Sequence, residues 1–120
     1  AANALLIANK ESGGSAAVAK SLKHMERKYD QKISLSEIAK VAGASERHFC
    51  KIFKAETGLS FVNYLTRLRV ESAKRRLRET NERISEIAFA SGFDSIAQFN
   101  KSFRSVAGES PSSYRRAATA

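Results

Sequence analysis

Apolar positions recur at helical spacing along most of this chain. Val18, Leu22, Met25 and Tyr29 lie three or four residues apart, so residues 16–30 are predicted to form a helix with one apolar face. Phe49, Ile52 and Phe53 repeat that spacing, and so do Phe99 and Phe103 near the end. Between them, residues 61–79 read as one uninterrupted helix. Phe61, Leu65, Leu68, Ser72 and Arg75 share one of its rows, with Tyr64 and Leu77 beside it. No long run of β-branched residues interrupts this pattern, and helix formers dominate, so the fold class is all-α. Residues 1–15, which include Ser12-Gly13-Gly14-Ser15, lack periodicity and read as a linker or tail.

The pattern then repeats itself. Ser36-Glu37-Ile38-Ala39 returns 49 residues later as Ser85-Glu86-Ile87-Ala88, and Gly43 returns as Gly92. Beyond the glycines the offset becomes 50: Ser45, Phe49, Lys51, Phe53, Gly58, Ser60 and Tyr64 match Ser95, Phe99, Lys101, Phe103, Gly108, Ser110 and Tyr114. Twelve ordered matches with one single-residue insertion imply two copies of one structural unit.

Punctuation places the helices within each copy. Ser34 with Glu37 is a capping-box pattern, so a helix should start near Leu35 and stop at Gly43. Ser45 should cap the next helix, which Gly58 ends. In the second copy Gly92 is the stop, Ser95 with Gln98 is another capping box, and Ser110-Pro111 starts a short last helix. Two short helices can cross steeply only where the contact residues are small, and Ala39 lies at that crossing. A small residue, a glycine four later, and then apolar contacts (here Ile38, Ala42, Ala44, Phe49 and Ile52) make the helix-turn-helix pattern. The expected organisation is a tail at 1–15, a first helix-turn-helix subdomain at 16–59, a linker helix at 60–79, a second subdomain at 80–117 and a tail at 118–120.

Charge says what such units would meet. The chain carries a net +9, and residues 45–78 hold nine basic and three acidic residues, a net +6 of that total. A domain this basic suits a polyanion, and duplex DNA is the one that helix-turn-helix units engage. The second helix of each pair should enter the major groove. Its outward residues are Arg47, His48, Cys50, Lys51 and Lys54 in the first copy, and Ile96, Ala97, Gln98, Asn100, Lys101 and Arg104 in the second. Arg and Lys donate to guanine, and Gln and Asn pair with adenine. Arg47, His48, Cys50, Lys51, Gln98, Asn100 and Lys101 are therefore the expected base readers. Ser45, Lys54, Ser95, Arg104 and Arg75 are the expected backbone contacts. Arg69 and Arg76 are instead expected to pair along the linker helix with Glu71 or Glu79. A linker helix of about 20 residues is about 30 Å long, close to the ~34 Å between successive major-groove faces. A monomer reading two segments is the expectation.

Other classes find little support. One cysteine and two histidines supply neither a disulfide framework nor a zinc-ligand pattern. No triad or phosphate loop is present, so no catalytic residue, metal or cofactor is expected and the chain is not read as an enzyme. No apolar run approaches the ~18 residues of a membrane span, and the expected location is cytoplasmic. The alternative is a helical protein-interaction or RNA-binding module. RNA binding favours exposed aromatics for stacking, whereas the phenylalanines here fall at core spacing.

The residues from Ile33 to Arg116 resemble the DNA-binding domain of AraC/XylS-type transcription regulators. The resemblance rests on Ile84-Ser-Glu-Ile-Ala-Phe-Ala-Ser-Gly-Phe-Asp-Ser, then Phe99, Phe103, Gly108, Pro111 and Tyr114-Arg115, with Leu68-Arg69, Ala73 and Leu77 in the linker helix. It implies seven helices in two homeodomain-like subdomains, promoter DNA as partner, activation through RNA polymerase, and a sensing domain missing from the N-terminal side. By position it puts base reading on Arg47, Cys50 and Lys51, and on Ile96, Ala97, Gln98 and Lys101. Three departures stand out. Cys50 replaces a longer polar side chain, Ile96 and Ala97 are apolar, and Lys101 lacks the arginine fork.

Overall fold

The computed structural model describes residues 15–119. Among these residues there are seven helices and no strand: α1 (Ala16–Lys28), α2 (Leu35–Ala42), α3 (Glu46–Thr57), α4 (Phe61–Glu79), α5 (Ile84–Ala90), α6 (Ile96–Ala107) and α7 (Pro111–Thr119). The linker reading of residues 1–14 lies outside them. Ser15 does not behave as tail. Its hydroxyl accepts the Val18 N–H at 3.2 Å, and its own N–H donates to the Glu56 carboxylate of α3 at 2.9 Å. At the other end α7 continues through Ala118 to Thr119, where a tail was expected.

The helices fall into two compact units that divide between Leu65 and Thr66, inside α4. In the first unit, Val18, Leu22 and Met25 of α1 are buried together with Ile38, Ala39 and Ala42 of α2 and Phe49 and Phe53 of α3. The start of α4 adds Phe61 and Tyr64. Phe49 packs on Phe53 at 5.3 Å and edge-on to Phe61 at 6.0 Å, and Phe53 meets the Tyr64 ring at 5.5 Å. In the second unit, Val70, Ala73 and Leu77 of α4 build one core with Ile87, Ala88, Phe93, Phe99 and Phe103. Val70 and Ala73 lie off the row expected for α4, while Arg75 on that row is exposed. The row drifts because successive turns of 3.6 residues rotate it away from a fixed spacing.

The two units match at the level of burial. Every residue from Ser45 to Phe61 has the same burial class as the residue 50 places on, from Ser95 to Pro111. Phe99–Phe103 and Phe103–Tyr114 repeat the ring contacts of the first unit at 5.7 Å and 5.6 Å. One aromatic ring has changed place. The first unit fills the space beside Phe49 with Phe61, where the second unit has Pro111. The second fills it with Phe93, at 5.2 Å from Phe99, where the first has Ala44.

The turns match too. Gly43 takes φ +74°, with its N–H on the Lys40 carbonyl and the Ala44 N–H on that of Ala39. Gly92, at φ +101°, and Phe93 make the equivalent bonds to Phe89 and Ala88. Only glycine takes this left-handed geometry without a steric penalty. Ser34, Ser45 and Ser95 each accept the N–H three residues on, as expected of caps. The reciprocal half of the Ser34 capping box does not form, because the Glu37 carboxylate turns to His24 Nε2 of α1 at 2.7 Å. At the Ser95 cap, only the Ser95 side of the expected box is made. Another glutamate makes such a back-bond: Glu86 accepts the Arg83 N–H at 3.3 Å ahead of α5.

Candidate nucleic-acid interface

The burial pattern fixes which face of α3 and α6 is free. Phe49 and Phe53 anchor α3, and Phe99 and Phe103 anchor α6, all fully buried at four-residue spacing. Most of the remaining positions of each helix's first two turns are exposed, with Ile52 and Ser102 partly buried. Arg47, His48, Cys50 and Lys51 are exposed on α3, and Gln98, Asn100 and Lys101 are exposed on α6. Lys54 and Arg104 sit one turn further along on the same sides, and Arg75 is exposed on α4. Ser45 and Ser95 are exposed as well, but each already uses its hydroxyl as acceptor for a helix N–H, leaving the hydroxyl proton to donate.

Hydrogen bonding divides the cations into two groups. Arg47, Lys51, Lys54, Arg75, Lys101 and Arg104 have no ion pair or side-chain hydrogen bond among the described residues. Others are held inside the fold. Lys74 pairs with Glu71 at 3.4 Å and lies over the Tyr114 ring. Arg76 bonds Glu82 beyond the helix end at 3.1 Å, rather than Glu71 or Glu79 as its spacing suggested. Arg78 donates to the Tyr114 hydroxyl at 2.6 Å, which strengthens its hold on its proton. Arg115 gives its guanidinium to three backbone carbonyls, those of Leu77, Thr80 and Glu82. A charge with no internal partner keeps its full field for a ligand, whereas a paired one has already been neutralised locally.

The arrangement offers donors, not reactive chemistry. Among the described residues, no group of three or more His, Cys, Asp or Glu is placed to hold a metal ion. None of the described helices is long and apolar enough to cross a membrane.

A family model described as a helix-turn-helix domain matches residues 38–117. The chain belongs to the AraC-type helix-turn-helix family. This is a family of transcription-regulator DNA-binding domains and not of enzymes. An uncharacterized HTH-type transcriptional regulator of Staphylococcus aureus is 36% identical over 92 residues, covering 77% of this chain. The HTH-type transcriptional regulator GlxA of Rhizobium meliloti is 33% identical over 95 residues, covering 79%. The chain spans only 12% and 29% of the lengths of these two relatives. Among solved structures, the C-terminal domain of AraT, a response regulator from Geobacillus stearothermophilus, superposes with a TM-score of 0.82 at 31% identity, covering 86% of each chain. The DNA-binding domain of AdpA, solved in complex with a target DNA, gives a TM-score of 0.81 at 28% identity, covering 86% of this chain and 93% of that one.

Proposed function

We propose that this AraC-type domain binds a specific duplex DNA sequence within a bacterial transcription regulator. The observation that carries the reading is the set of outward cations and amides on α3 and α6 that have no partner inside the fold. In this reading Arg47, His48, Cys50 and Lys51 address base edges from α3, and Gln98, Asn100 and Lys101 address them from α6. Ser45, Lys54, Ser95, Arg104 and Arg75 hold the phosphates. The two helices contribute unequally, because α6 presents Ile96 and Ala97 where α3 presents Glu46 and Arg47. Apolar side chains there reach only a thymine methyl or a sugar, so α3 carries most of the specificity. The proposal extends to the larger protein: promoter activation through RNA polymerase, and a sensing domain on the N-terminal side.

The test is selection of a duplex site from a random library, followed by affinity measurements across salt. Arg47→Ala and Lys51→Ala should each weaken the selected site about 10-fold or more relative to random duplex, since a good base contact is worth ~1–3 kcal/mol. Arg78→Ala should leave that ratio unchanged, because its guanidinium is spent on Tyr114. Lys54, Arg75 and Arg104 on phosphates predict a log–log salt slope of about −3 or steeper. A chain that enriches no sequence, or loses equally with all three variants, would refute the reading.

A further inference from the structure

We propose that Glu46 is a specificity-determining residue, which accepts a hydrogen bond from the exocyclic amino group of one cytosine in the major groove. The proposal deepens the DNA-binding reading above and rests on it. Glu46 is the first residue of α3, and it is exposed. The other exposed residues of that helix include no acid.

Nothing inside the fold uses this carboxylate. Side chains of a helix meet at three- and four-residue spacing, which leads from Glu46 to Phe49, buried in the core, and to Cys50. Arg47, adjacent in sequence, does not face it. Glu46 has no ion pair or side-chain hydrogen bond among the described residues. The acids in the first turns of α2 and α5 differ in this respect. Glu37 is engaged by His24, and Glu86 accepts the Arg83 N–H. The cap of α3 is also made without Glu46, because the Ser45 hydroxyl takes the His48 N–H at 3.1 Å.

A free carboxylate here is costly on DNA unless a base matches it. The N-terminal residues of a reading helix contact base edges, with phosphates on either side that repel a negative charge. A carboxylate only accepts, so the four bases are not equivalent to it. In the major groove guanine shows the acceptors N7 and O6, and thymine shows O4. Adenine carries its amino group beside the N7 acceptor. Cytosine alone shows a donor, N4, with no acceptor on the same base next to it. Glu46 thus selects by exclusion, since the other bases leave its charge unmatched. The cations of α3 cannot discriminate in this way, because a lysine or arginine donor is satisfied by a phosphate as well as by a base. The repeat provides a contrast. Fifty residues on, the same position holds Ile96, which has no acceptor, so the second unit should lack this cytosine preference.

The experiment selects duplex sites from a random library with the wild-type chain, Glu46→Gln and Glu46→Ala, and then measures affinities for single-base variants of the wild-type site. Wild type should require cytosine at one position, where any other base costs about 10-fold in affinity. Glu46→Gln keeps the size but can donate, so its preference at that position should move to adenine. Glu46→Ala should discriminate there by less than about 2-fold. All other positions should keep their preferences in both variants. Both should bind random duplex about 3-fold more tightly, because a charge that repels phosphates is gone. Melting temperatures establish that both variants fold. A cytosine preference retained by both variants would overturn the proposal. So would an equal loss of preference at every position, which is the mark of a structural role, or weaker binding of the variants to random duplex. A wild type that enriches no sequence would defeat the underlying reading instead.

Discussion

Arg115 is basic, belongs to a Tyr-Arg pair near the chain's end, and would pass for a phosphate contact on charge alone. Its bonds say otherwise. Nε donates to the Leu77 carbonyl at 3.2 Å, Nη2 to Thr80 at 3.1 Å and Nη1 to Glu82 at 2.7 Å. These carbonyls belong to the last turn of α4 and the link to α5, where a helix has no backbone partners left for them. One planar fork thus ties the end of α4, the link and α7 together. A hydrogen bond to a charged group contributes ~1.5–3 kcal/mol when shielded from water. Arg115 is half-buried and water can replace part of each bond, so about 1 kcal/mol apiece is the better figure. Arg115→Ala should therefore cost about 3 kcal/mol, a large share of the ~5–15 kcal/mol typical of a domain. Arg115→Lys should recover only about a third of that loss, because a single ammonium cannot span three carbonyls. Urea unfolding followed by circular dichroism at 222 nm measures both. At a temperature where each variant is folded, the salt slope of DNA binding should equal that of wild type. A stability loss below about 0.5 kcal/mol, full rescue by lysine, or a flatter salt slope would each refute the structural role.

Tyr64 carries a buried hydroxyl with no hydrogen-bond partner among the described residues, and burial followed by the charge of Glu26 pushes its phenol up to about 12. The unfolded chain releases that proton near pH 10, so stability should be intact below pH 10 and fall by roughly 2 kcal/mol as the pH rises toward 12. Tyr64→Phe should remove that alkaline loss and cost little at pH 7, as urea midpoints across pH will show. Ser91 has a buried orphan hydroxyl where the first unit has Ala42, so Ser91→Ala should be neutral or raise stability by up to about 1 kcal/mol in the same assay. Gly43 has open space where a Cβ would stand, so Gly43→Ala should cost only the ~1–2 kcal/mol of a left-handed backbone; a larger thermal destabilisation would mean that packing, and not φ, holds the turn.

What the sequence made legible follows from the range of the interactions. Caps, glycine stops and the four-residue spacing of Phe49–Phe53 and Phe99–Phe103 are local, and the structure carries all of them. The outward positions of α3 and α6 follow directly from that spacing. The partners of the cations were not legible. Arg76 reaches six residues ahead to Glu82, Arg78 reaches 36 to Tyr114, and Arg115 reaches back as far as 38 to Leu77. No helical periodicity encodes such distances. The Glu37 carboxylate shows the same limit: a local rule assigned it to its own N-terminus, and a histidine 13 residues away took it.

The identical burial of residues 45–61 and 95–111 separates two kinds of inheritance within one duplicated unit. The positions that build the scaffold, Phe49 with Phe99 and Phe53 with Phe103, stayed the same. Among the exposed positions beside them, Glu46, Arg47, His48 and Cys50 correspond to Ile96, Ala97, Gln98 and Asn100, all four changed, while Lys51 keeps its counterpart Lys101. Scaffold and address are therefore written on different residues of the same two turns. The address can drift, or be rewritten deliberately, without touching a single core contact. A duplicated gene segment could in this way acquire a second, different message while its architecture stood still.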